Sequence, residues 1–223
     1  MITVHHLNNS RSQRVLWLLE ELGVPYEVKR YERDKATMLA PASLRAVHPL
    51  GKSPVITDEG RTIAESGAIV DYLVDRYDDG KKLAPAGRTP EHLRYVYWLH
   101  YAEGSAMPPL LMKLVFERMK SAPMPFFVKP VIRGIAQRVL DTFVDPQVKL
   151  HFDYLEKELA ATGWFAGPEF SAADIQMSFP VEAATARGGA TARPNIAAFL
   201  DRIHARPAYT RALERGGPYE LLR

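Results

Sequence analysis

Between His48 and Ser66 the chain reads His-Pro-Leu-Gly-Lys-Ser-Pro-Val-Ile-Thr-Asp-Glu-Gly-Arg-Thr-Ile-Ala-Glu-Ser, and few folds accommodate that order. Pro54 has no N–H to give to a sheet ladder, so it can open a strand but not sit in its middle, and a Ser-Pro peptide bond can be cis. Val55-Ile56 then begin a strand. Asp58-Glu59-Gly60 is a hairpin turn closed by a residue that tolerates positive φ. Arg61-Thr62-Ile63 returns, and Glu65-Ser66 stands where a helix over Gly67 to Tyr77 begins. Taken singly, Pro54 shapes a turn and Ser66 caps a helix. At this spacing, with a hairpin between them, they bring together an exposed backbone edge and a helix N-terminus whose free N–H groups suit a carboxylate.

The segment upstream supplies the frame for that pair. Ile2-Thr-Val-His-His6 alternates as a strand, Asn8-Asn9-Ser10 breaks it, and Arg11 to Leu22 carries a broad apolar face with Gly23 at its end. Pro25 precedes a second alternating run, Tyr26 to Tyr31. Strand, helix and strand with a crossover this short make a βαβ unit, hence a parallel pair with right-handed connection. A polar link and a short helix at Ala42 to Val47 lead back to the opening stretch. The resulting order, βαβ, α, ββα, is that of a thioredoxin-like domain.

This order of signals resembles the glutathione-binding half of the glutathione transferases. The resemblance implies that Ser53, before Pro54, offers its backbone to the cysteinyl part of glutathione. It implies that Glu65 and Ser66 hold the γ-glutamyl end, and that Lys52 stands where the family has Gln or Lys. The implied fold is an N-terminal thioredoxin-like domain, residues 1–80, a linker at 81–88 and an all-helical bundle domain, residues 89–223.

The C-terminal half agrees. Lys81 to Pro90 is a basic linker with two prolines and a glycine, and Thr89 can cap the next helix with Pro90 at N1. Glu91 to about Ser121 is read as one long helix kinked at Pro108-Pro109, and Pro123 to Pro130 as a turn or lid. A helix from Gln147 to Leu159 follows. Phe170-Ser-Ala-Ala-Asp-Ile175 combines a capping box, Ser171 with Asp174, and a hydrophobic staple, Phe170 with Ile175. It opens a buried helix from Ala173 to Ala186, which Gly188-Gly189 ends. Pro194 to Ala205 and Pro207 to Glu214 form the last two. In the family the Ser/Thr-x-x-Asp box serves folding, not chemistry.

Composition removes several classes of function. The 223 residues contain no cysteine, so disulfides, thiolate metal sites and a cysteine nucleophile are all excluded, and with them the glutathione enzymes that form a mixed disulfide through their own cysteine. No apolar run approaches the roughly 20 residues of a bilayer crossing, and the N-terminus lacks a secretory layout, so a cytoplasmic protein without a membrane partner is expected. His5 and His6 are adjacent on a strand and point to opposite faces, which denies them a shared metal, and no metal is expected. His100 and Glu103 have metal-like spacing on a helix but no third ligand. The basic tract Lys113, Arg118, Lys120, Lys129, Arg133 and Arg138 lacks a nucleic-acid motif, and no nucleic-acid partner is expected. It is read as a solvated face or as a rim that attracts anions.

The chemistry implied by the resemblance is thiol activation. Glutathione, the co-substrate, must lose its sulfur proton to become a nucleophile, and a thiolate is stabilised by a hydroxyl donor, by backbone N–H groups and by the positive end of a helix. The family places Ser, Cys or Tyr at the start of the first helix. With no cysteine and no tyrosine before Tyr26, this chain matches the serine type. Ser10 is the expected catalytic residue, with Ser12, Asn8 and Asn9 as competitors. Ser10-Arg-Ser-Gln13 is also a capping box, so Ser10 as a pure cap stands beside the catalytic role. Arg11 is expected to be solvated, and Arg14 to orient the loop or face a carboxylate. By resemblance, Glu103 reaches the glutathione amine of a partner subunit. The expected protein is therefore a homodimeric glutathione transferase acting on a small electrophile or a hydroperoxide. The alternative is a non-catalytic glutathione-binding or scaffolding protein of the same fold.

Overall fold

The computed structural model describes residues 1–34, 37–80, 82–186, 193–217 and 219. Its first part is a four-stranded sheet in the order β2-β1-β3-β4, formed by β1 (Ile2–Leu7), β2 (Tyr26–Tyr31), β3 (Val55–Asp58) and β4 (Arg61–Ala64). β1 and β2 run parallel, joined through α1 (Ser12–Leu22), whereas β3 is antiparallel to β1 and to β4. The centre of the sheet is apolar because Ile2, Val4, Val55 and Ile56 are all buried there. Glu59 and Gly60 both take positive φ, +47° and +78°, which matches the twist of a tight hairpin. The Ser53-Pro54 bond is cis. A short α2 (Ala42–Arg45) precedes it, and α3 (Ser66–Tyr77) follows β4.

The remaining elements are helical: α4 (Pro90–Tyr101), α5 (Met107–Ser121), α6 (Lys129–Val139), α7 (Asp145–Thr162), α8 (Ala172–Thr185), α9 (Pro194–His204) and α10 (Pro207–Gly216). Thr89 caps α4 by accepting from the His92 N–H at 3.1 Å, with Pro90 in the first turn. α8 is buried from Ala172 to Glu182 and on to Ala184, as its run of small and apolar residues requires. Its capping box is complete: Asp174 accepts from the Ser171 N–H at 2.8 Å, and its other oxygen accepts from the Phe165 N–H at 2.8 Å. Phe170, the expected staple, packs against Trp17 and Trp164. α1 lies between the sheet and the helices, touching α3, α8 and α10. Arg206 pairs with Glu21, and Arg211 and Arg215 pair with Glu20, so the last helix is fastened to the first. Gly188-Gly189, expected to end α8, lies outside the described residues.

Three expectations need correction. The helix from Glu91 to Ser121 is interrupted by π-helical turns at Ala102–Ala106, ahead of Pro108-Pro109 rather than at them. Prolines at 108 and 109 offer no N–H to the carbonyls one turn earlier, and widening that turn shifts the pairing past them. The same device recurs at Leu140–Val144, ahead of Pro146. Second, α6 begins at Lys129, inside the segment expected as a turn or lid, and runs through those π turns into α7, so the helix expected from Gln147 starts at Asp145 and belongs to a longer rod. Third, α1 starts at Ser12, and its N-cap residue Arg11 makes no side-chain capping bond.

Candidate functional site

The register of β1 against β3 builds the site floor. His5 pairs with Val55, so continuing the ladder sets Ser53 opposite Leu7, at the end of β1 where the chain turns into α1. Four polar side chains meet there in a row. Ser53 Oγ lies 3.1 Å from Ser10 Oγ, Ser10 Oγ lies 2.7 Å from Ser12 Oγ, and Ser12 Oγ lies 2.9 Å from His6 Nδ1. Ser10 and His6 are 4% and 5% exposed, and Ser12 is fully buried, so the row runs inward from Ser53.

The electrostatics of His6 give this row a direction. Burial, reinforced by Arg30, pushes its pKa down to about 4, with a hydrogen bond to the Gly216 backbone acting the other way. The ring is therefore neutral at pH 7. With its other nitrogen donating to Gly216, Nδ1 is left as the acceptor for the Ser12 hydroxyl. Ser12 thus spends its proton on His6, and Ser10 is the donor in the Ser10–Ser12 bond. Ser10 in turn accepts from the Ser12 N–H at 3.2 Å. Ser10 does not close the expected capping box with Gln13: that N–H bonds the Ser10 backbone carbonyl at 3.3 Å. The hydroxyl caps the Ser12 N–H at the start of α1 instead of that of Gln13. Among the competitors, Asn8 Oδ1 accepts from the Arg33 N–H at 3.0 Å, and Asn9 sits at φ +48°.

Ser66, at the first position of α3, is buried, while Glu65 before it is exposed with φ +72°. Ser66 Oγ accepts from Arg14 Nη2 at 3.3 Å. Arg14 is 2% exposed, donates from Nη2 to Glu103 at 2.6 Å and from Nη1 to the Gln176 carbonyl. Glu103 also takes Nε of Arg11, at 2.9 and 2.8 Å to its two oxygens. Burial alone would raise the Glu103 pKa; Arg14 and Arg11 outweigh it and hold the carboxyl below its ordinary range. Both guanidinium groups lie over the Phe179 ring, at 4.9 and 5.1 Å. The expectation of a solvated Arg11 is therefore corrected, and the carboxylate that Arg14 faces is Glu103. Glu103, expected to serve a partner subunit, gives both its oxygens to arginines of its own chain.

A cleft of about 620 Å³ opens above this floor, between the sheet domain and α5. Ser53, Lys52, Asn9 and Arg11 line one side, and Met107, Leu110, Leu111, Leu114 and Phe179 the other. Ser10 lies directly beneath, reached through Ser53, while Pro54, Glu65 and Ser66 are not on the cleft wall. A larger cleft, about 980 Å³, lies elsewhere, between the end of α1 and the segments 77–86 and 166–171. None of the expected site residues lines it. Among the described residues no group of three or more His, Asp or Glu side chains could hold a metal ion, and no helix is long and apolar enough to cross a membrane. His6 is the contributor that the sequence did not place in the site, and the depth at which Arg14 is buried was not expected either. The apolar neighbours Leu16, Leu18 and Leu19 were the available signal that α1 is covered on most sides.

Comparison with known proteins gives this arrangement a family. The family model for the glutathione S-transferase N-terminal domain matches residues 10–76, and the model for the C-terminal domain matches residues 110–207. Glutathione S-transferase 3 of Schizosaccharomyces pombe is 37% identical over 96% of this chain and 88% of its own length. Glutathione S-transferase 1 of Saccharomyces cerevisiae is 34% identical over 96% and 95%. A crystal structure of a glutathione S-transferase from Actinobacillus pleuropneumoniae superposes with a TM-score of 0.81 at 36% identity, covering 100% of this chain and 96% of the other. A sphingomonad glutathione S-transferase complexed with glutathione superposes with a TM-score of 0.74 at 26% identity, over 96% and 98% of the two chains. The chain belongs to the glutathione S-transferase family and is a glutathione transferase.

Proposed function

We propose that the protein conjugates the glutathione thiol to a small electrophile, with Ser10 stabilising the thiolate. Residues 1–80 would hold glutathione and residues 89–223 would supply the acceptor wall. In this account the Ser53 backbone meets the cysteinyl part, Glu65 and Ser66 the γ-glutamyl end, and Lys52 a carboxylate. The observation that carries it is the row Ser53–Ser10–Ser12–His6. Because neutral His6 accepts the hydrogen bond of the Ser12 hydroxyl, the Ser10 proton is the one that can turn from Ser12 to a sulfur anion. The Ser12 N–H then stays on Ser10 as a donor and polarises it. The N-terminus of α1 adds its positive end. The sulfur proton leaves to solvent, and the thiolate attacks the acceptor.

The protein would act in the cytoplasm as a homodimer; Leu93 and Tyr97 on the outer side of α4 are 71% and 44% exposed and suit a covered face. Steady-state turnover with glutathione over a panel of electrophiles and organic hydroperoxides tests the proposal. Conjugation of a chlorinated nitroarene supports it. Turnover of hydroperoxides alone would move the activity to peroxide reduction. Glutathione binding without turnover of any acceptor would favour a non-catalytic binding protein and refute the transfer reaction.

A further inference from the structure

The cleft is charged with one sign only. Arg11, Arg33, Arg45, Lys52 and Arg118 line it, and no acidic side chain among the described residues does. Glutathione itself brings two carboxylates and an ammonium, so some of this charge serves it. Lys52 adjoins Ser53, and Arg45 packs under Gly51, where an added Cβ would come within 2.5 Å of its Cγ; both belong to the glutathione side. Arg11 is committed to Glu103, and Arg33 gives Nη1 to the Met38 carbonyl at 3.2 Å. Arg118 remains. It is the cleft cation on the helical wall, and it has no hydrogen-bond or ion-pair partner for its side chain among the described residues. Its neighbours on α5 differ in this: Lys113 is paired with Asp145 and Lys120 with Glu117.

The position of Arg118 on α5 sets a length. Met107, Leu111, Leu114 and Arg118 fall at spacings of four, three and four on one helix face and all line the cleft. The near end of this helix is tied to the thiol site through Glu103 and Arg11. From Met107 to Arg118 the axis rises about 16 Å, a span that an extended chain of roughly a dozen bonds would cover. Leu111 is 55% exposed, so an apolar chain laid along this stripe would bury surface that is now wet.

We propose that the acceptor is a chain-like molecule with its electrophilic carbon at the Ser10 end, an apolar body along Met107, Leu111 and Leu114, and a terminal carboxylate held by Arg118. This rests on the transferase reading above and names the substrate class of that site. For an aryl chloride probe, the thiolate sulfur forms the new C–S bond, chloride leaves with the C–Cl electron pair, and the thiol proton goes to solvent.

The test uses amides of chloronitrobenzoic acid with ω-amino acids of short, medium and long chain, each as the free acid and as its methyl ester, alongside unsubstituted chlorodinitrobenzene. The expected result is a kcat/KM advantage of acid over ester of about three- to tenfold that appears only once the chain is long enough to reach Arg118. Arg118→Gln should bring that ratio to about one, and Arg118→Lys should keep part of it, with thermal melts confirming that both variants fold. Turnover of the neutral acceptor with equal rates for acid and ester, or an advantage that survives Arg118→Gln, overturns the inference and leaves the transferase reading in place. Failure with every acceptor, chlorodinitrobenzene included, overturns both.

Discussion

Replacing Glu103 by Gln probes the joint between the two halves of the chain. Glu103 accepts from Arg14 at 2.6 Å and from Arg11 at 2.9 and 2.8 Å, and Arg14 is 2% exposed against 29% for the Glu103 side chain. Gln keeps one acceptor oxygen and nearly the same volume, so packing survives and the charge is lost. Breaking a buried pair by removing one partner costs about 3–5 kcal/mol. The partial exposure of Glu103 and the retained oxygen reduce this to about 2–4 kcal/mol, also the cost of one or two hydrogen bonds to a charged group. For a chain of this size about 2–4 °C of melting temperature goes with each kcal/mol, so Glu103→Gln should melt roughly 4–16 °C lower. The pH dependence follows with its sign. The Glu103 pKa is held below its ordinary 4.5, so its contribution is fully present above that value and is lost as pH falls through the folded-state pKa. The acid limb of wild-type stability should therefore be steeper than that of Glu103→Gln. Differential scanning calorimetry at neutral and acid pH measures both. A melting shift below about 1 °C, or parallel acid limbs, would refute the claim that this carboxylate neutralises a buried arginine.

Other consequences follow from the same geometry. Ser171→Ala should cost about 0.5–2 kcal/mol through the lost cap. Asp174→Ala should cost more, about 1–3 kcal/mol, because the Phe165 and Ser171 N–H groups lose their acceptor together; glutathione affinity of the folded fraction should hold in both, as chemical denaturation and calorimetric titration would record. Glu65→Ala and Ser66→Ala should each weaken glutathione about tenfold or more, the loss of a bond to a charged group being worth about 1.5–3 kcal/mol; unchanged affinity in both variants would remove these residues from the site.

The parts of the molecule that were legible in the chain are those written in local order. Ser53-Pro54, the Asp58-Glu59-Gly60 turn and Ser66 fall within one short stretch, and the hairpin and the start of α3 follow from turn chemistry alone. The Ser171–Asp174 box was equally plain, because a capping box is a spacing of three. α6 was missed although Pro130 in its first turn is a start signal: most of its faces are exposed, so apolar residues at Val131 and Ile135 show no buried stripe to read. Arg14 was expected to orient the loop or face a carboxylate, but its partners were not legible, because Glu103 and Gln176 lie 89 and 162 positions away. The same holds for His6, whose neutral state depends on burial and on Arg30, which does not adjoin it in the chain.

The central claim is that the Ser10 hydroxyl carries the glutathione thiolate, and ultraviolet titration of the bound thiol tests it most directly. Removing a donor at an anion site costs up to about 2.7–4 kcal/mol, and a thiolate accepts weaker bonds than an oxyanion, so Ser10→Ala should show a smaller but clear effect. The account predicts that the titration midpoint of bound glutathione rises in Ser10→Ala and turnover at neutral pH falls, while glutathione affinity changes much less. An unmoved midpoint would contradict it, and would transfer thiol activation to the N-terminus of α1 or to Ser12, Asn8 or Asn9.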